Sequence, residues 1–216
     1  MLDILKSIEW LHLLGTTPWE ILATVSGMTG VILIARQNIL GWPLGLVWAA
    51  ISACLAFRWN LVSDSILYLS AIPMQVYCWI VWYHKGKESM ISDIPFRPTW
   101  MPVQRQLLLV VAAMLSIFLW GKGITAAAGH FSWVPEPSLL WRDSTTTVLN
   151  YYAQFLQARK RMENWLIWVI VNILGIHIYW VKDAPIYSIQ YAFFLVLGVY
   201  GWVQWHRKAM HKQVAP

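Results

Sequence analysis

A segment of the chain returns 123 residues later without a gap: Val76-Tyr77-Cys78-Trp79-Ile80-Val81-Trp82-Tyr83-His84-Lys85 reappears as Val199-Tyr200-Gly201-Trp202-Val203-Gln204-Trp205-His206-Arg207-Lys208. The same offset pairs Arg36 with Arg159, Trp42 with Trp165, Ser65 with Ser188 and Tyr68 with Tyr191. Both copies are apolar at membrane-spanning length. Internal duplication of that kind characterises transporter folds whose substrate lies between the halves, so the repeat points to a carrier.

Composition sets the solvent. Of 216 residues, 58% are hydrophobic and 12% are charged, against about 25% charged in a typical soluble domain. The chain is read as a membrane protein. Its net charge of +6 lies in short basic clusters between apolar runs, which sets topology and does not suggest nucleic-acid binding. Cys54 and Cys78 fall inside apolar segments without a CxxC spacing, so they read as packing residues and indicate neither a disulfide framework nor a metal site. Residues 1–15 carry Asp3, Lys6, Glu9 and His12 among Leu and Ile, which suits an amphipathic helix in the interface better than a cleavable signal.

A spanning helix needs roughly 20 mostly apolar residues. Seven are predicted: Trp19 to Arg36, Leu40 to Phe57, Asp64 to Tyr83, Gln106 to Ala128, Asp143 to Ala158, Asn164 to Val181 and Pro185 to Trp205. The fifth is weak by hydropathy, with Ser144-Thr145-Thr146-Thr147 near its start, and is recognised because its repeat partner is the apolar first span. The fourth has no partner. The expected fold is therefore all-α and integral to the membrane, with three helices, one linker helix and three helices. Its parts are an N-terminal interfacial helix over 1–16, a first repeat over 17–86, a linker with helix 4 over 87–140, a second repeat over 141–208 and a tail over 209–216. Three spans reverse the chain direction and the linker helix restores it, so the repeats are parallel.

Lys and Arg fall eleven on one side and five on the other. By the positive-inside rule the N-terminus is outside and the C-terminus cytoplasmic. Trp42, Trp79, Trp82, Trp165, Trp202 and Trp205 then fall near cytoplasmic span ends, where indole suits the interface.

Polar side chains at membrane depth normally face a bundle interior or cavity. The second repeat has Asn150, Tyr151, Gln154, Asn172, His177 and Gln190, whereas the matched positions of the first are Gly27, Met28, Val31, Ala49, Cys54 and Leu67. A symmetric frame with an asymmetric polar set suits an asymmetric ligand. Asn150 and Gln154 share a helix face with Tyr151 beside them. Asn172 offers donors and acceptors to a neutral polar ligand, its competing role being a bond to a neighbouring helix. In the first repeat Gln75 follows Pro73 near mid-membrane. Trp48, Tyr68, Tyr191, and the pair Tyr77 and Tyr200, could sandwich a planar cationic ring, with core packing as the alternative for each. His177 reads as a packing residue before a proton relay. Glu20, Asp64, Asp143, Glu163 and Asp183 all sit at span ends, so proton coupling through a carboxylate at depth is not indicated.

Taken together, Trp141-Arg142-Asp143, Ala158-Arg159-Lys160, Glu163-Asn164-Trp165-Leu166-Ile167-Trp168, Asn172, Ser188 to Tyr191 and Trp202-Val203-Gln204-Trp205 resemble the PnuC family of nicotinamide riboside transporters. The resemblance covers roughly residues 19 to 208. It implies a three-plus-one-plus-three fold like a SWEET transporter, a homotrimer in the bacterial inner membrane, and facilitated diffusion of the vitamin with trapping by a cytoplasmic kinase in NAD biosynthesis. No cofactor is implied. The expected contacts are Asn150, Tyr151, Gln154, Asn172, Gln190, Tyr191, Gln75, Trp48, Tyr68 and His177. Nicotinamide riboside joins a flat pyridinium to a hydroxyl-rich ribose, matching aromatic faces plus carboxamides; thiamine, carried by similar proteins, is also a flat cation.

Other seven-helix classes fit less well. A retinal protein needs a Schiff-base lysine in its last helix, and the span Pro185 to Trp205 has none. An integral-membrane enzyme would need a catalytic constellation, and neither HExxH nor clustered carboxylates occur. An assembly subunit would not concentrate polar groups in one repeat.

Overall fold

In the computed structural model, which describes residues 17–58, 62–92, 96–131, 139–181 and 185–210, the seven predicted spans are seven helices. They are α1 (Pro18–Ala35), α2 (Gly41–Arg58), α3 (Val62–Ser92), α4 (Val103–His130), α5 (Leu140–Ala158), α6 (Glu163–Val181) and α7 (Pro185–Met210). The predicted interfacial helix over 1–16 and residues 211–216 of the tail lie outside the described residues. Among the described residues, four helices, α1, α2, α4 and α6, are long and apolar enough to cross a membrane by length and composition. The other three are diluted by Ser, Thr, Tyr, Asn and Gln, including several of the candidate binding residues. α3 runs past the predicted end at Tyr83 to Ser92. Its polar last turns hold the Lys85–Glu88 ion pair at 2.6 Å; no proline lies between Tyr83 and Ser92, and the helix continues through Gly86.

The repeat is written into the backbone turn by turn. Between α1 and α2 the Gln37 N–H donates to Ile34 O, Asn38 N–H to Leu33 O, Gly41 N–H to Asn38 O and Trp42 N–H to Ile39 O. Between α5 and α6 the bonds are Lys160 to Gln157, Arg161 to Leu156, Asn164 to Arg161 and Trp165 to Met162, each shifted by the same 123 residues. Gln37 (φ 63°) and Lys160 (φ 49°) occupy the left-handed region at matching places. The Ser65 Oγ donates to Ala53 O at 3.0 Å, and the Ser188 Oγ to Ile176 O at 3.0 Å. The first bond joins α3 to α2 and the second joins α7 to α6.

The chain forms two compact units, one up to Ile80 and one from Val81, so α3 contributes to both. In the first, Thr17 caps α1: its Oγ1 accepts from the Glu20 N–H at 3.3 Å while the Glu20 carboxylate accepts from the Thr17 N–H. Pro18 occupies the first turn, where its missing N–H costs nothing. α1 and α2 touch backbone to backbone. A Cβ on Gly30 would lie 3.1 Å from Gly41 O, and one on Gly41 would lie 2.7 Å from Gly30 O. Gly41 and Gly45 form the small-xxx-small spacing by which membrane helices approach closely without a hydrophobic driving force.

In the second unit, Ala153 and Leu156 of α5 meet Ile167 and Val171 of α6 in a buried core. α4 packs on α5 and leaves Leu107, Leu108, Val111, Met114, Leu115 and Leu119 exposed, an apolar exterior suited to lipid. At one end Trp165 and Trp205 pack edge to face with centroids 5.3 Å apart, and Trp82 lies 6.2 Å from Trp205 and donates its Nε1–H to Gln157 O at 3.2 Å. This corrects the expectation for the tryptophans. Of those six, Trp42, Trp82, Trp165 and Trp205 are buried in packing, whereas Trp79 and Trp202 are exposed as interfacial residues must be. Of the two cysteines, Cys78 is buried as expected, whereas Cys54 is exposed.

Residues 96–101 strap onto the turn before α6. The Thr99 N–H donates to Lys160 O at 3.1 Å, Met162 N–H to Thr99 O at 3.0 Å and Arg161 Nη1 to Thr99 Oγ1 at 2.6 Å. Glu163, buried at the helix start, accepts from the Met101 N–H at 2.6 Å and from Gln106 Nε2 at 2.9 Å. Lys160 donates to Phe96 O at 3.0 Å, and its Nζ sits 4.3 Å from the Phe96 ring centroid and 4.7 Å from that of Trp82. Burial, and secondarily the charge of Lys208, push its ammonium down from 10.5 to about 8. The unfolded chain keeps that proton to higher pH than the folded one does. The charge therefore costs stability below about pH 8, and the cost is lifted as pH rises from about 8 towards 10.5. The Tm advantage of Lys160→Met over wild type should accordingly shrink between about pH 7 and about pH 10. Thermal denaturation across that range checks it, and a difference independent of pH would show that the ammonium is not desolvated.

Candidate functional site

The candidate residues of the first unit sit on facing helices. Trp48 of α2 lies against Gly27 of α1, where a Cβ would stand 2.9 Å from the indole Cδ1. Tyr68 of α3 meets the same indole edge-on, with centroids 5.5 Å apart. The structure thus brings Trp48 and Tyr68 together. Gln75 lies flat on Gly45 of α2, whose Cβ would be 2.9 Å from each of Cδ, Nε2 and Oε1. Gln75 is 9% exposed, and its Oε1 is buried without a hydrogen-bond partner among the described residues. A buried orphan acceptor costs about 1–3 kcal/mol and calls for an explanation such as a ligand.

In the second unit, Asn172 is buried on α6 at 5% exposure. Its Nδ2 points towards Gly198 of α7, 3.9 Å from where a Cβ would be. One helical turn earlier on the same face is Trp168, whose Nε1 is buried and has no partner among the described residues. Trp168 is not conspicuous in the sequence as a polar group, because an indole counts as apolar; its sequence signal is its place in the pair Trp165-Leu166-Ile167-Trp168.

The remaining candidates divide by environment. Asn150 donates Nδ2–H to Thr146 O at 2.9 Å, so part of its capacity is spent on its own helix. Tyr151 and Tyr152 line a cavity of about 500 Å³ between α4 and α5, together with Ser116, Trp120 and Val148, and the Ser116 and Tyr152 hydroxyls are 3.1 Å apart. Gln154 and Gln190 are half-buried. Tyr191 stacks on Tyr179 with centroids 5.3 Å apart and covers Gly175, whose Cβ would fall 2.3 Å from its ring. His177 is exposed and lies on a different face of α6 from Asn172.

The first unit offers the Gln75 carboxamide and the Trp48–Tyr68 aromatic pair, and the second offers the Asn172 carboxamide, the Trp168 indole N–H and the stacked Tyr179 and Tyr191. Groups of these kinds suit a flat, polar, uncharged or cationic small molecule.

Known proteins resemble this chain over most of its length. A nicotinamide riboside transporter PnuC of Haemophilus influenzae is 27% identical over 199 residues, covering 88% of this chain and 80% of the relative. The PnuC of Escherichia coli is 21% identical over 211 residues, covering 89% and 87%. A riboflavin/roseoflavin transporter RibM of Streptomyces davaonensis is 21% identical over 191 residues, covering 86% and 83%. The crystal structure of a vitamin B3 transporter PnuC superposes with a TM-score of 0.66 at 22% identity, over 86% of this chain and 79% of that one, and so shares the fold. The nicotinamide mononucleotide transporter family matches residues 17–207, nearly the whole chain, and the protein belongs to that family.

Proposed function

We propose that this membrane protein takes up nicotinamide riboside by facilitated diffusion, with the nucleoside retained in the cell by a cytoplasmic kinase that feeds NAD biosynthesis. Its family is one of transporters, so it is not an enzyme. The observation that carries the substrate reading is the buried face of α6, where Asn172 and the unpartnered indole N–H of Trp168 lie one turn apart. Groups that could satisfy them include the hydroxyls of a ribose and the carboxamide of nicotinamide. Gln75 with its orphan oxygen, and Trp48 with Tyr68, are the contacts from the first repeat; Asn150, Tyr151, Gln154, Gln190, Tyr191 and His177 complete the proposed set. The frame is three helices, a linker helix and three helices in parallel repeats, as in SWEET transporters, supported by the turns matched bond for bond. We place the N-terminus outside and the C-terminus in the cytoplasm of a bacterial inner-membrane homotrimer, on the Lys and Arg distribution and on family resemblance.

Calorimetry on the purified protein tests the substrate. Nicotinamide riboside should bind more tightly than thiamine or riboflavin; tighter binding of thiamine, or of riboflavin as the RibM relative would suggest, replaces the substrate and keeps the fold. Uptake into proteoliposomes should not follow an imposed proton gradient, and uptake that does would overturn facilitated diffusion.

A further inference from the structure

We propose that Gly45 is a positioning residue for the substrate, because it is the seat that fixes the Gln75 carboxamide; this rests on the reading of Gln75 as a substrate contact. A Cβ at residue 45 would meet all three outer atoms of that carboxamide at 2.9 Å, closer than any side chain tolerates, so the amide occupies the space a side chain would take. The amide is held flat on α2 with an orphan oxygen. A core that needed only filling would use an apolar side chain there and avoid the desolvation penalty.

The repeat shows the same contact built the other way round. Positions 45 and 75 return as 168 and 198, where the large residue is on the second helix and the glycine on the third: Trp168 and Gly198 replace Gly45 and Gln75. Contact persists, with Trp168 Cβ 4.0 Å from the Cβ position of Gly198. The repeat therefore does not fix which of the two helices supplies the large side chain at this contact. In both copies of this contact the large partner has a buried atom without a hydrogen-bond partner among the described residues, Gln75 Oε1 in one unit and Trp168 Nε1 in the other. On the reading of Gln75 as a substrate contact, its orphan oxygen is the atom the ligand would satisfy.

Gly45→Ala tests this cleanly. The obstructing atoms are the end of a flexible side chain, so the fold adjusts by turning Gln75 away, and alanine within a helix is favoured over glycine by about 1 kcal/mol. Gly27 and Gly175 lie under rigid rings and would test stability instead. Nicotinamide riboside is titrated calorimetrically into wild type, Gly45→Ala, Gln75→Ala and the double variant, with Tm recorded for each. We expect both single variants to raise Kd about tenfold or more at near-wild-type Tm, and the double variant to bind no more weakly than Gln75→Ala alone, as residues acting through one contact do. Wild-type affinity in either single variant, or losses that multiply in the double, would overturn the role of Gly45. If the wild-type protein itself fails to bind nicotinamide riboside, the substrate assignment falls, and the same four proteins titrated with thiamine and riboflavin decide the matter for Gly45.

Discussion

Replacing Asn172 by leucine should weaken nicotinamide riboside binding by roughly 10- to 100-fold, the effect of losing one or two hydrogen bonds to a buried ligand. The expectation follows from position. Asn172 is buried in the second unit beside Gly198, so its amide faces space that a side chain would otherwise close. Leucine has nearly the same shape and is apolar, and a membrane helix accepts it readily. The loss should appear in Kd by calorimetry, with Tm changed by only a few degrees. An unchanged Kd would reduce Asn172 to helix packing and remove the main support for the binding face.

Gly201→Ala should instead damage the fold and do so severely. A Cβ there would stand 2.2, 2.4 and 2.5 Å from three atoms of the Trp165 ring. That ring is 1% exposed and is braced edge-on by Trp205. Unlike Gln75, it has no flexible end to swing aside. Overpacking of this kind typically costs 1–3 kcal/mol, and we expect about 3 kcal/mol, a fall in Tm of about 6–12 °C in a chain of this size. Gly86→Ala and Gly129→Ala, whose added methyls meet nothing within 4 Å, are the controls and should match or exceed wild type. A Gly201→Ala protein melting with the controls would mean that the tryptophan cluster is looser than its contacts indicate.

Much of this fold is visible in the amino-acid order because membrane helices announce themselves by length. α5 is the instructive case. Its Ser and Thr content hides it from hydropathy, and only its register with α1 reveals it, a register that the matched turns then repeat in three dimensions. Faces are harder to read than depths. Trp42 and Trp165 sit near span ends, and depth alone suggests an interface; whether an indole points to headgroups or inward depends on the neighbouring helix, which for Trp165 presents Gly201. The site was legible to the same degree. Asn172 stands out as an amide in an apolar run, and its burial agrees. The exchange of Gly45 and Gln75 for Trp168 and Gly198 cannot be seen along one strand of sequence, because it is a property of a contact between two helices.

The two matched turns differ in what completes them. In the first, Asn38 closes the turn from within, its Oδ1 accepting the Leu40 N–H at 2.9 Å. In the second, Arg161 and Glu163 stand at the places of Asn38 and Leu40 and spend their hydrogen bonds on Thr99, Met101 and Gln106. The first corner is thus closed by a bond within its own turn. The second corner is finished by residues that precede its repeat, so a substitution at Thr99, Met101 or Gln106 reaches the start of α6 through hydrogen bonds that the first corner does not use.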